Sequence, residues 1–194
     1  MIAFVLGNGL SRQSVSVDKL QELGTVYGCN ALYRTHAPTV LVAVDQAISR
    51  EIQDSGYSLR HRFYTRRPNA NSGANAIPKP YFGFSSGPVA VGLACDHEHR
   101  RIYLLGFDLG PNDQGKFNNL YAGTTHYKPT GALPTYTGNW AKQLSKIVSS
   151  NLDKQFIRVV GETTAEISEF GALENLSHLP LDTFVDRINM QKDL

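Results

Sequence analysis

The chain has 194 residues, 41% of them apolar and 19% charged, with a formal net charge of +2. That length allows one domain, residues 1–194, with one sizeable core. So small a charge gives no strong sign of nucleic-acid binding, and no run approaches the roughly 18 apolar residues of a membrane span. The two cysteines, Cys29 and Cys95, sit among apolar residues and read as small buried side chains without a disulfide framework. The first residues lack the basic region and cleavage site of a signal peptide, so a cytoplasmic setting is expected. A homo-oligomer is left open.

Five apolar residues, Ile2–Leu6, run into Gly7-Asn8-Gly9 and predict a strand buried on both faces. A short helix follows at 17–23, stopped by Gly24, then a strand at 25–29 ending before Asn30. Residues 39–44 carry three valines and no charge, the strongest strand signal, and end at Asp45. A helix over 46–55 stops at Gly56, and a more exposed strand is expected over 60–65, where basic residues alternate with Phe63 and Tyr64.

Residues 66–84 are rich in proline and small polar residues, a long loop of the kind that is functional or disordered. Ser85-Ser86-Gly87-Pro88 has the chemistry of a capped helix start. The apolar body at 89–95 follows, with Gly92 placed to approach a sheet closely. A strand over 102–105 ends in Gly106-Phe107-Asp108, a second long irregular stretch covers 109–135, and a helix spans 136–152. Residues 156–160 read as the last strand, and a short helix at 181–188 closes the chain. Strands alternating with helices imply an α/β domain: one Rossmann-like, doubly wound, mostly parallel sheet with helices on both faces.

In such sheets ligands sit at the carboxyl ends of the strands. Those ends here carry Asn8, Asn30, Asp45 and Asp108. Short amides and carboxylates can orient ribose hydroxyls and base edges, although Asn and Asp also favour turns. Gly7 and Gly9 would let backbone amides approach a ligand, without forming the full dinucleotide fingerprint. The Ser85-Ser86-Gly87 helix start adds free amides and a dipole suited to phosphate. Arg60, Arg62, Arg66 and Arg67 cluster either as a solvated strand end or as a patch for an anionic ligand. His97 and His99 flank Glu98 and suggest a metal cluster, but with no further ligand pair they read as a solvated connection at the opposite end of the sheet, and no metal site is assigned.

Three segments resemble the bacterial lipooligosaccharide sialyltransferases, and more loosely the Rossmann-like group that includes the archaeal-type 6-hydroxymethylpterin pyrophosphokinases. They are Phe4-Val-Leu-Gly-Asn-Gly-Leu-Ser11, Val26-Tyr-Gly-Cys-Asn30, and the stretch from Ser85-Ser-Gly87 to Ile102-Tyr-Leu-Leu-Gly-Phe-Asp108. The likeness covers about residues 1–130. It implies that Asn8, Asn30 and Ser86 contact the cytidine monophosphate part of a nucleotide sugar, with Asp45 where the family has asparagine. The family's tyrosine after Gly-x-Asp is replaced by Gly110, its histidine by Thr130, and its arginine by Gly83. His126 then becomes the candidate base from a shifted position, with Tyr121 and Tyr127 as candidate phosphate donors.

The expectation is a nucleotide-sugar-dependent glycosyltransferase working by direct displacement, with no cofactor beyond its donor. One alternative is pyrophosphoryl or nucleotidyl transfer, with Asp45, Asp108 and Asp113 holding Mg²⁺. Another is a nucleotide- or metabolite-binding protein without turnover.

Overall fold

The structure, a computed structural model, describes residues 1–192 and 194. Eight strands form one sheet: β1 (Ile2–Leu6), β2 (Thr25–Cys29), β3 (Val40–Val42), β4 (Phe63–Thr65), β5 (Asn75–Ala76), β6 (Arg101–Leu105), β7 (Gln155–Val160) and β8 (Leu176–Pro180). Their spatial order is β5-β4-β3-β2-β1-β6-β7-β8 and every neighbouring pair is parallel. The five α-helices among the described residues are α1 (Val17–Leu23), α2 (Gln46–Asp54), α3 (Ser86–Asp96), α4 (Gly138–Ser149) and α5 (Leu181–Met190). The fold is α/β and Rossmann-like, and no described helix is long and apolar enough to cross a membrane.

Alternation along β1 explains the two layers. Ala3 and Val5 pack with α3 and α4 residues such as Val89 and Leu144. Phe4 and Leu6 face the other way, with Leu20 of α1, Ile52 of α2 and Phe184 of α5. Phe4 stacks on Tyr103 of β6 at 5.5 Å between ring centroids and meets Phe184 edge-on at 6.2 Å. Each such side chain removed from water stabilises the fold by about 1.5–3 kcal/mol. α3 is buried from Pro88 to Cys95 because it lies under the sheet centre and beside α4.

Several local expectations are corrected. β4 is fully buried, since Phe63 joins one apolar layer and Tyr64 the other. The 66–84 loop contains β5 and a 3₁₀ turn at Lys79–Tyr81, anchored by buried Ile77 and Tyr81. Gly92 approaches Tyr81 rather than the sheet: a Cβ there would lie 2.4 Å from the Tyr81 ring. β7 is not the last strand. β8 pairs beside it as an exposed edge, and Pro180 leads straight into α5. His99 is buried, not solvated. Its ring meets Tyr27 edge-on at 5.8 Å, while His97 Nδ1 lies 2.7 Å from the Tyr27 hydroxyl.

Candidate functional site

The chain walks outward from β1 to β5, and α3 then returns it to β6 on the far side of β1. The carboxyl ends of β1 and β6 are therefore the topological switch point, where open α/β sheets place ligands. A cleft of about 290 Å³ opens there, between the strand ends and the first turns of α3 and α4. Gly7, Asn8, Gly9, Asn30, Asp45, Ser85, Ser86, Gly87 and Asp108 all line it.

The glycine turn is shaped by its neighbour strand. Gly7 N donates to Leu105 O at 2.8 Å and Gly9 N to Gly106 O at 2.9 Å. A Cβ on Gly7 would lie 2.5 Å from Gly106 O, and one on Gly9 would lie 2.4 Å from Asp108 Cγ. The two glycines thus let β1 and β6 close on one another, and their amides are already engaged. Asn8 bridges strands: its Nδ2 donates to Cys29 O at 3.3 Å and its Oδ1 accepts from Arg12 Nη2 at 3.1 Å. Buried Arg12 also donates through Nε to Gly7 O.

Asp108 is a buttress. Its carboxylate accepts from Ser11 N at 3.0 Å, Asn118 Nδ2 at 3.0 Å and Thr163 Oγ1 at 2.7 Å, and also from the hydroxyls of Ser11 and Thr164. Five donors leave this carboxylate little capacity for a ligand or a cation. Behind it, Arg158 is 1% exposed and donates to the carbonyls of Phe107, Asp108 and Ala165. Burial lowers the Arg158 pKa to about 10, with Asp108 opposing. These contacts hold Phe107 against Gly87, where a Cβ would lie 3.1 Å from the ring.

At the other wall, Ser86 is buried and does not act as the helix cap. The cap position is Ser85, whose side chain makes no capping bond. Ser86 Oγ donates to Asn30 Oδ1 at 3.0 Å and accepts from Val44 N at 3.0 Å, tying α3 to the ends of β2 and β3. Asn30 sits at φ 51°, a left-handed conformation that asparagine tolerates better than most residues. Among the described residues, the Asn30 amide nitrogen and the backbone amides of Ser86 and Gly87 have no acceptor. Asp45 is exposed at the start of α2, and its carboxylate makes no hydrogen bond among the described residues. Arg66 also lines the cleft: its Nη2 donates to Phe84 O at 2.9 Å, and its buried Nε has no partner among the described residues. Phe107, Phe117 and Trp140 supply aromatic surface.

The three candidate catalytic residues lie outside this lining. His126 Nε2 sits 2.9 Å from Glu51 Oε2, on α2. Glu51 also accepts from Tyr33 and from Arg34 Nε at 3.1 Å. The Tyr127 hydroxyl accepts from Ala31 N at 3.3 Å, its ring is 5.7 Å from Tyr121, and burial pushes its pKa up to about 12. The irregular stretch lines the cleft as far as Asn119 and then turns to the loop after β2 and to α2, where Thr124 meets Arg34 and His126 meets Glu51, which carries these side chains away from the cleft. No three His, Cys, Asp or Glu residues among those described gather as a metal site, so Asp45, Asp108 and Asp113 form no such group.

Reasoning along the sequence missed Arg12, Asn118, Arg158, Phe117 and Trp140. Arg66 was visible only as part of a basic cluster. No family model matches the chain, and neither a curated protein nor a solved structure matches it.

Proposed function

We propose that the chain binds a nucleotide sugar in the switch-point cleft and transfers its glycosyl group. The observation that carries this reading is the set of unengaged groups on one cleft, the Ser86 and Gly87 amides, the Asn30 amide nitrogen and the Asp45 carboxylate, with Arg66 beside them. The helix amides and Arg66 suit a phosphate. Asn30 suits a base edge or ribose hydroxyl, and the aromatic wall suits a stacked base.

Asp45 takes the role of base in this account, in place of His126. An acceptor hydroxyl gives its proton to Asp45 and its oxygen bonds to the anomeric carbon. The bond from that carbon to the phosphate oxygen breaks, and the released nucleotide is held by Arg66 and the α3 amides. The non-catalytic reading is favoured by one observation, that His126, Tyr121 and Tyr127 are engaged elsewhere. Thermal-shift and hydrolysis assays on a panel of cytidine, uridine, guanosine and adenosine nucleotides and their sugars, with and without Mg²⁺, separate the two. Binding with release of free sugar supports transfer; binding without it selects the non-catalytic reading; no binding to any nucleotide rejects both.

A further inference from the structure

A second cleft of about 310 Å³ adjoins the first, and Val44, Asp45 and Arg66 line both. Its walls are the first turns of α2 and the chain leaving β4. Three guanidinium groups line it, from Arg50, Arg66 and Arg67, against the single carboxylate of Asp45. Arg50 and Arg67 are exposed, and among the described residues neither side chain has an ion pair or hydrogen bond. Among the described residues Arg66 reaches only the Phe84 carbonyl, and its buried Nε has no acceptor. Unpaired cations concentrated in a concave surface raise the local potential for an anion.

The floor adds donors. Ser49 and Thr65 are 3% and 1% exposed, and their hydroxyls share one hydrogen bond of 2.6 Å. Two hydroxyls carry two protons and one shared bond uses one of them. Among the described residues neither hydroxyl has another acceptor, so one of the two O–H protons is left without a partner there. The first bond of α2 runs from Ser49 N to Asp45 O, which leaves the amides of Gln46, Ala47 and Ile48 open among the described residues, and of these three Gln46 lines the cleft. Gln53 sets the geometry: its Nε2 reaches Arg67 O at 3.4 Å and its Oε1 accepts from Asn69 N at 2.7 Å, fastening the arginine-bearing loop to α2.

We propose that this second cleft is an oxyanion subsite, taking a phosphate or carboxylate group between Arg50, Arg66, Arg67 and the start of α2 at Gln46. Its continuity with the first cleft lets one ligand place an anionic group in each. The inference goes beyond the nucleotide reading and is tested without a nucleotide.

The experiment is an amide NMR titration of the whole chain, with inorganic phosphate and, separately, with glucuronate as a carboxylate probe. One or both are expected to move the amides of residues 46–49 and 65–69, and the probe that binds more tightly identifies the anion class. Arg50→Ala and Arg67→Ala, both at exposed positions, are each expected to weaken that probe at least about five-fold, as loss of a charge-assisted contact does. Absence of movement with both probes, or equal affinity in wild type and both variants, overturns the proposal. Cytidine monophosphate titrated in the same way reports on Asn30, Ser86 and Gly87, so the two readings stand or fall separately.

Discussion

Ser86 Oγ donates to Asn30 Oδ1 across 3.0 Å while accepting from Val44 N at the same distance. One hydroxyl thus fixes the start of α3 against the ends of β2 and β3. It also turns the Asn30 carboxamide so that its oxygen is used internally. Ser86→Ala leaves the Val44 N–H and Asn30 Oδ1 without their partner. Leaving a buried polar group unpaired costs about 1–3 kcal/mol. Urea denaturation is expected to show a loss in that range, together with weaker nucleotide binding by calorimetry.

The glycine turn gives a steric prediction. Gly7→Ala drives a Cβ against the Gly106 carbonyl, which is backbone and cannot rotate away. Overpacking of this kind costs about 1–3 kcal/mol. Gly171→Ala is the control, since nothing lies within 4 Å of its Cβ. Thermal melts are expected to show a clear drop for the first and little change for the second.

Acid sensitivity follows from the histidines at the other edge of the sheet. Burial holds both His97 and His99 below the ordinary imidazole range, and Arg62 adds to the effect at His97. The unfolded chain therefore takes up protons first as pH falls. The stabilising contribution is complete above about pH 6.5 and is lost as pH drops through the lowered native values. The urea midpoint is expected to fall between about pH 7.5 and about pH 5.5. His99→Phe, which keeps a ring against Tyr27, is expected to flatten part of that slope.

His126 and Asp45 separate the two assignments of the base. His126→Ala removes a partly exposed pair with Glu51, and such pairs contribute about 0–1 kcal/mol. Its nucleotide affinity and any turnover are expected to match wild type. Asp45→Asn is expected to keep the fold and slow transfer, with kcat falling about 10²–10⁴-fold as for loss of a general base. A turnover defect confined to His126→Ala reverses the assignment.

Much of the architecture was legible along the chain because its signals are local. Ile2–Leu6, Val17–Leu23 and Thr25–Cys29 fall where apolar runs and stopping glycines place them. β8 was hidden because Ser177 and His178 are exposed on an edge strand and only Leu179 is buried. The cleft residues were legible for a topological reason, since carboxyl ends of parallel strands share one edge. Their individual roles were not. The demand for glycine at position 9 comes from Asp108, which is close only after β6 pairs with β1. The position of His126 depends on Glu51, a contact between a loop and a helix that neither sequence segment encodes alone.

The central claim is that the switch-point cleft binds nucleotide through groups left open by the fold, and Asn30→Asp tests it most directly. The aspartate keeps an oxygen for Ser86 and tolerates the left-handed backbone, but replaces the open NH₂ with an acceptor. Wild type is expected to gain about 2.7 kcal/mol of stability from its preferred nucleotide at a hundredfold excess over Kd, and the variant to lose most of that gain while melting normally without ligand. Failure of every nucleotide to stabilise wild type, or equal stabilisation of wild type and Asn30→Asp, would contradict the account.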